Sequence, residues 1–272
     1  MPDLLLPAWL DPDQRRLLEE LAARNEAAHG DDLLGILLSG SAGRAYATAH
    51  SDLDVVVVLT DAAAAGRSTV HAPDVDEAVD SWSELVTLPP FGTEGWWFRW
   101  MYAWVPVLLD RTGGELTEAV RRQATLSPEE ADEVLLEHDR LDGWVNFAYR
   151  ALKNHRDGRP LETRLDAAES VPWLLDVVFA TAGRVRPYNK YLPWELREHP
   201  LPEWPADELL DLVRRTVDGD VPAIRETFTR VRAACEAYDT ARGHTRTTDV
   251  LAGWDDHAEV FAGGLAGAGR DD

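Results

Sequence analysis

Residues 33–59, LLGILLSGSAGRAYATAHSDLDVVVVL, place two apolar runs on either side of a short polar segment. The first run predicts a β-strand that ends at Gly40-Ser41, and the second begins ten residues later with Asp52 and Asp54. Alternate residues of a strand point to the same face, so these two aspartates are expected to stand side by side. The stretch therefore predicts two strands, with a pair of carboxylates at the start of the second.

This pair of carboxylates favours a metal site. Two negative charges at such short range are costly unless a cation lies between them. Carboxylate oxygens are the ligands that Mg²⁺ prefers, and the ion keeps open positions for phosphate. Backbone amides of a glycine-containing turn can hold phosphate oxygens. We therefore predict that Asp52 and Asp54 bind Mg²⁺, and that Gly40 and Ser41 contact phosphate oxygens.

The motif resembles that of the nucleotidyltransferase superfamily with the DNA-polymerase-β-type palm, in which G-S, about ten residues and D-x-D precede an apolar strand. The closest resemblance is to the bacterial antibiotic nucleotidyltransferases of the aminoglycoside type, which have a small catalytic domain followed by a helical one. The motif covers residues 40–58, and the two-domain layout extends the likeness loosely over most of the chain. The resemblance implies a transferase that uses ATP and Mg²⁺.

The pattern along the chain predicts an α+β fold in two parts. Residues 1–125 mix short helices and strands, including one or two strands in 96–109, and are predicted to form a palm with a mixed sheet. No secondary structure is assigned to residues 72–88. Residues 126–262 are predicted to form a helical bundle that closes over substrate and nucleotide, and a capping box in its first residues, Ser-Pro-Glu-Glu, opens a long helix. The glycine-rich residues 263–272 are predicted to be a disordered tail.

The resemblance also implies a third carboxylate, on a later apolar strand beside the one that carries Asp52 and Asp54. Residues 105–106, where it is expected, are apolar. Asp110, at the end of that predicted strand, is one candidate, although an aspartate before Arg-Thr-Gly-Gly is also typical of a turn. Glu94 is the other catalytic candidate, because some antibiotic nucleotidyltransferases use a glutamate as the base. Asp80 and Glu84 are weaker candidates.

Further basic and aromatic residues are predicted to contact the nucleotide. Arg44 lies three residues after the Gly-Ser pair, within reach of a phosphate. Residues 184–194, RVRPYNKYLPW, are basic and aromatic in an otherwise acidic chain. Lys190 is predicted to contact the triphosphate, and Tyr188 or Tyr191 to stack on the base. An ordinary interhelical loop would show the same composition.

The charge of the chain suggests a cationic acceptor. The net charge is −22, from 27 Lys and Arg against 49 Asp and Glu, a field that repels nucleic acid and attracts polycations. Glu162, Asp166 and Glu169 share one helix face with Trp173, and this stripe is predicted to hold the amino groups of a substrate. A proteome-wide acidic bias would give the same net charge.

These observations predict Mg²⁺-dependent transfer of a nucleotidyl group, most simply adenylyl, to a hydroxyl of a small aminoglycoside-like antibiotic. No apolar run is long enough to span a membrane, and the N-terminus lacks the basic region of a signal peptide, so a cytoplasmic enzyme is expected. Two alternatives stay open. One is a nucleotidyltransferase that modifies a protein or tRNA, as in toxin–antitoxin pairs. The other is a non-catalytic nucleotide-binding protein of the same fold.

Overall fold

The structure is a computed structural model that describes residues 3–67 and 69–262. The chain divides into two compact units, Met1–Thr125 and Leu126–Asp272. The predicted disordered tail, residues 263–272, lies outside the described residues. Each unit is described by itself below.

The first unit is a five-stranded sheet flanked by helices. Its elements are α1 (Pro12–His29), β1 (Leu33–Leu38), β2 (Leu53–Leu59), α2 (Asp61–Ala64), β3 (Val70–His71), β4 (Val75–Ser81), α3 (Trp82–Val86), α4 (Glu94–Arg99), β5 (Val107–Asp110) and α5 (Glu115–Ala124). The strand order is β3-β4-β2-β1-β5. Strand β2 runs parallel to β4, and the other pairs are antiparallel. The predicted α+β fold with a mixed sheet is confirmed.

Strand β2 lies at the centre of this sheet and is buried on both faces. Val55 and Val57 pack with Leu18 and Leu21 of α1. The intervening valines pack on the opposite face against residues of α3 and α5. A continuous run of valines suits this position, because a strand covered on both sides has no need of polar alternation. The predicted strands 33–38 and 53–59 are both confirmed.

The prediction of strands throughout residues 96–109 is wrong. Residues 94–99 form α4, residues 100–102 a 3₁₀ turn, and only Val107–Asp110 is a strand. The aromatic residues favour strands only weakly, and a tertiary interaction decides against them. Arg99 is fully buried and donates to the carbonyl oxygens of Gln123 (2.9 Å) and Thr125 (2.8 Å) at the end of α5. It thereby satisfies carbonyls that a helix end leaves without partners.

The second unit is helical in its described part. It contains α6 (Pro128–Asp132), a π-helical turn (Glu133–Glu137), α7 (Arg140–Arg156), α8 (Pro160–Thr181), α9 (Leu192–Glu198), α10 (Ala206–Val217), α11 (Val221–Arg242), α12 (Arg246–Ala252) and α13 (Ala258–Ala262). The predicted capping box at Ser127 is present, with Glu130 as its partner. The long helix expected after it is interrupted at Asp139, whose φ is +53°, so two shorter helices stand in its place. In the described residues, no helix is both long and apolar enough to cross a membrane.

Candidate functional site

The Gly-Ser turn, residues 39–44, follows the end of β1 and includes a short 3₁₀ helix, Ala42–Arg44. The Ser39 amide donates to the Asp54 carbonyl oxygen (2.7 Å), which ties the turn to the start of β2. Gly40 has a φ of +58°, and a Cβ atom built on it would lie 1.7 Å from Asp54 Oδ2. Only glycine lets the backbone pass so close to this carboxylate. The turn and the aspartate therefore form one packed unit.

Three carboxylates converge beside this turn. Asp54 is the second residue of β2, and Asp52 directly precedes the strand. Asp54 is directly opposite Asp76 of β4 in the parallel register. One oxygen of each of the three aspartates lies within 4.8 Å of the others. Such a group of half-buried hard oxygen ligands fits a divalent cation, which would offset their mutual repulsion. Asp76 Oδ1 also lies 2.9 Å from Nδ1 of His71 on β3.

Asp76 is the residue that the sequence analysis missed. The resemblance implies a third carboxylate at residues 105–106, whereas the third carboxylate of this group lies on β4, within residues 72–88, where the sequence pattern is ambiguous. The sequence of β4, VDEAVDS, places Val75 and Val79 on one face and Asp76 and Ala78 on the other. This alternation is the signal that could have found the strand. The alternation is weak, because β4 carries three acidic residues instead of an apolar run.

The structure does not bring Asp110 into the carboxylate group. Asp110 is opposite Gly35 of β1, toward the end of the sheet where β2 finishes. Its two oxygens accept hydrogen bonds from the amides and hydroxyls of Thr112 and Thr117, at 2.7 to 3.1 Å. Asp110 thus caps the first turn of α5, which agrees with the alternative that it is a turn aspartate. This structural role does not support a catalytic one.

Asp110 is expected to stabilise the fold in a pH-dependent way. Partial burial would raise the pKa of its carboxyl, but the hydrogen bonds from Thr112 and Thr117 outweigh this and lower the pKa to about 2. Because the folded-state pKa lies below the unfolded value, the stabilisation is complete above about pH 4 and is lost as pH falls toward 2. Asp110→Asn should lower the free energy of unfolding by about 1 kcal/mol at pH 7, as the loss of a helix cap does. Urea titrations should show this difference shrinking between about pH 4 and pH 2. A constant difference over this range would contradict the prediction.

The other carboxylate candidates also lie outside the group. Glu94 is exposed in the first turn of α4. Glu84 accepts from Ser81 in a capping box that opens α3. Asp80 is half-buried on β4, and this partial burial raises the pKa of its carboxyl, while a hydrogen bond from the Tyr102 hydroxyl (2.5 Å) acts in the opposite direction. Each of these side chains has a local structural role or faces solvent.

Arg44 does not reach out toward a phosphate. Its side chain is 4% exposed, and its guanidinium donates to the carbonyl oxygens of Gly40 (2.7 Å), Met101 (2.9 Å) and Trp100 (3.2 Å). The guanidinium also stacks over the Trp100 ring, with its central carbon 4.3 Å from the ring centroid. Arg44 fixes the Gly-Ser turn to residues 100–101, and this role does not support the prediction that it binds phosphate.

In the second unit, the basic segment is partly used for packing. Arg184 pairs with the buried Glu195 of α9, and Arg186 lies 3.5 Å from Asp176 of α8. Lys190 is exposed, with its ammonium 5.1 Å from the Tyr191 ring centroid. Tyr188 is half-buried. Of the basic side chains in this segment, Lys190 is thus the one that faces solvent.

The acidic stripe on α8 is also partly neutralised. Asp166 is 9% exposed, accepts from Asn154 Nδ2 (2.7 Å) and lies 3.2 Å from the Arg150 guanidinium. The ring of Trp173 is covered by the guanidinium of Arg140, 4.2 Å from its centroid. Glu162 and Glu169 are exposed on the same helix. Of the four residues predicted to hold a substrate, Asp166 and Trp173 therefore contact other side chains of the protein.

Comparison with solved structures gives a likeness at low sequence identity. The sequence matches no protein-family model and no curated protein. The crystal structure of a nucleotidyltransferase-like protein from Exiguobacterium sibiricum is similar at 12% sequence identity, over 83% of this chain and 76% of that protein, with a TM-score of 0.36. At this level of similarity, the assignment of a function rests on the geometry of the three aspartates and the Gly-Ser turn.

Proposed function

We propose that this protein transfers a nucleotidyl group, most simply adenylyl, from a nucleoside triphosphate to a hydroxyl of a small substrate, with Mg²⁺. The observation that carries the proposal is the convergence of Asp52, Asp54 and Asp76 beside Gly40. Carboxylates that hold a cation next to a turn suited to phosphate are what this reaction needs, since it depends on positioning and charge neutralisation. The position of Asp76 supports the proposal, because it would serve as the third carboxylate that the resemblance implies.

The residues of the site have separable tasks. Asp52, Asp54 and Asp76 would hold Mg²⁺, which when bound lowers the pKa of the attacking hydroxyl and offsets the charge of the triphosphate. In the described chain, the backbone amides of Gly40 and Ser41 make no hydrogen bond to another residue, so both can donate to phosphate oxygens. The Ser41 hydroxyl adds a further donor. Lys190 and Tyr188 remain our predictions for contacts to the triphosphate and the base.

The acceptor is proposed to be an aminoglycoside-like polycation, modified in the cytoplasm and thereby inactivated as an antibiotic. The net charge of −22 supports this proposal. Asp166 and Trp173 contact other side chains of the protein. We therefore assign the attraction of a cationic acceptor to the negative electrostatic field of the whole chain, to which the exposed Glu162 and Glu169 contribute. A field of this kind raises the rate of encounter more than the affinity.

This electrostatic contribution predicts an opposite salt response for the two substrates. As salt rises from 0.1 M to 1 M, the Debye length falls from about 10 Å to about 3 Å. The kcat/KM for a polycationic acceptor should therefore fall severalfold, whereas kcat/KM for ATP should stay level or rise. The double variant Glu162→Gln/Glu169→Gln should flatten the acceptor's dependence. Equal salt responses of acceptor and ATP would argue against a cationic acceptor.

The direct test is pyrophosphate release with ATP and Mg²⁺ against a panel of aminoglycosides and other hydroxylated antibiotics. We expect release that requires both the acceptor and the metal, with the product identified by mass as an adenylylated acceptor. Release only with a protein or tRNA would favour the alternative of macromolecular modification. Binding of ATP–Mg²⁺ without release from any acceptor would favour a non-catalytic nucleotide-binding protein.

A further inference from the structure

The aromatic turn, residues 100–104 (WMYAW), is fixed against the Gly-Ser turn. The Ser39 hydroxyl donates to the Met101 carbonyl oxygen (3.0 Å), and Arg44 donates to the same oxygen and to that of Trp100. Arg44 is buried, so these bonds are shielded from water. The aromatic turn therefore holds a defined position beside the proposed phosphate site.

The far end of the aromatic turn is also tied to the strand that leads into the Gly-Ser turn. Two residues after Trp104, the carbonyl oxygen of Pro106 accepts from the Leu38 amide (3.1 Å). The Pro106 ring lies 3.5 Å from the position of a Cβ atom built on Gly43. Trp104 thus lies between residues 100–101, which are bonded to the Gly-Ser turn, and Pro106, which is bonded to β1.

Trp104 combines two unfavourable features. Its φ is +62°, one of three positive values among the described non-glycine residues, and such a backbone is strained for a bulky side chain. Its side chain is 44% exposed, so the large apolar ring gains only part of the free energy of burial. Glycine or asparagine would adopt this conformation more easily. Strained residues of this kind concentrate at ligand sites, where binding makes use of the enforced orientation.

We propose that Trp104 is a specificity-determining residue that stacks on the base of the nucleoside triphosphate, an inference that rests on the proposed function. The indole ring offers a large planar face, and the base is the planar part of a nucleotide whose phosphates lie at the Gly-Ser turn. Stacking on a base contributes to binding and is tolerant of which base is present. Trp104 thus increases affinity for nucleotides over inorganic polyphosphates.

Trp104→Asn and Trp104→Gly test this proposal because both residues accept a positive φ and keep the turn unstrained. By calorimetry, the Kd of ATP–Mg²⁺ should rise about tenfold or more, whereas the Kd of inorganic tripolyphosphate–Mg²⁺ should stay within about twofold of the original value. Trp104→Phe retains an aromatic face and should restore most of the affinity for ATP. The control Trp97→Leu removes a tryptophan that is 63% exposed on α4, and neither Kd should change. Thermal unfolding midpoints should be unchanged or higher for the asparagine and glycine variants.

Each other outcome overturns the inference in a recognisable way. Equal weakening of ATP and tripolyphosphate would mean that Trp104 only shapes the turn. An unchanged Kd for ATP together with a raised KM for the acceptor would place Trp104 at the acceptor. If the unmodified protein binds neither ATP–Mg²⁺ nor tripolyphosphate–Mg²⁺, the proposed function itself fails, and this inference fails with it.

Discussion

Replacing Asp54 or Asp76 with asparagine is expected to lower kcat/KM for nucleotidyl transfer at least about 100-fold, which corresponds to about 2.7 kcal/mol of activation free energy. The two residues are opposite each other on parallel strands and belong to the carboxylate group that would hold Mg²⁺. An asparagine keeps the size of the side chain but removes the charge that attracts the cation. Pyrophosphate release measures the activity, and calorimetry with Mg²⁺ alone should show weaker binding independently of turnover.

The fold should tolerate both substitutions. Each one removes one of three close negative charges, which favours the folded state in the absence of metal. Asp76→Asn also weakens the contact with His71, so its thermal unfolding midpoint should stay near the original value. Asp74→Asn is the matched control, because Asp74 is exposed two residues before Asp76, carries the same charge and lies outside the carboxylate group. This control should keep near-normal activity. Activity within about tenfold of normal for Asp54→Asn or Asp76→Asn would refute the metal assignment.

Gly40→Ala is expected to remove most activity while leaving the protein folded. The added Cβ would lie 1.7 Å from Oδ2 and 2.6 Å from Cγ of Asp54. The carboxylate can rotate away more readily than the backbone can move, so the substitution displaces a proposed metal ligand. A displacement of about 1 Å in a catalytic site can cost about 100-fold in rate. Steady-state kinetics, together with Mg²⁺ calorimetry, measure this loss.

Gly113→Ala separates this steric effect from backbone strain. Gly113 also has a positive φ, +73°, but a Cβ atom there would meet nothing within 4 Å. Both variants should lose about 1 kcal/mol of unfolding free energy, because alanine is strained in the left-handed region. Only Gly40→Ala should lose activity. If the two variants behave alike in kinetics, the close approach of Gly40 to Asp54 has no functional role.

Some parts of the molecule could be predicted because their cause is local. The spacing of Gly40, Asp52 and Asp54 fixes which side chains share a strand face, and the run of valines fixes a buried central strand. The capping box at Ser127 likewise depends on four consecutive residues. In each case, the physical cause lies within a few residues of its effect, so the sequence pattern predicted it correctly.

Other parts depended on contacts between residues far apart in the chain. Arg44 was expected to face a phosphate, but it is buried because the carbonyl oxygens of Trp100 and Met101, more than fifty residues away, accept its hydrogen bonds. Arg99 favours α4 over a strand for a similar reason, since its partners lie at the end of α5. Asp110 has the low pKa of a capping residue and takes no part in the site. The positions of these three side chains depend on the backbone carbonyl and amide groups that lack hydrogen-bond partners after the helices and strands have packed.

By itself, the sequence determined the α+β fold class, the two-aspartate strand and the glycine turn that precedes it. Only the tertiary structure decided which carboxylate completes the site. Asp76 lies on an acidic strand with no strong pattern of its own, and it joins Asp52 and Asp54 because β4 pairs with β2 in parallel register. Strand pairing is a long-range choice, set by hydrogen bonding and by the burial of both faces of β2, and a shift of one residue would turn Asp76 to the opposite face of the sheet.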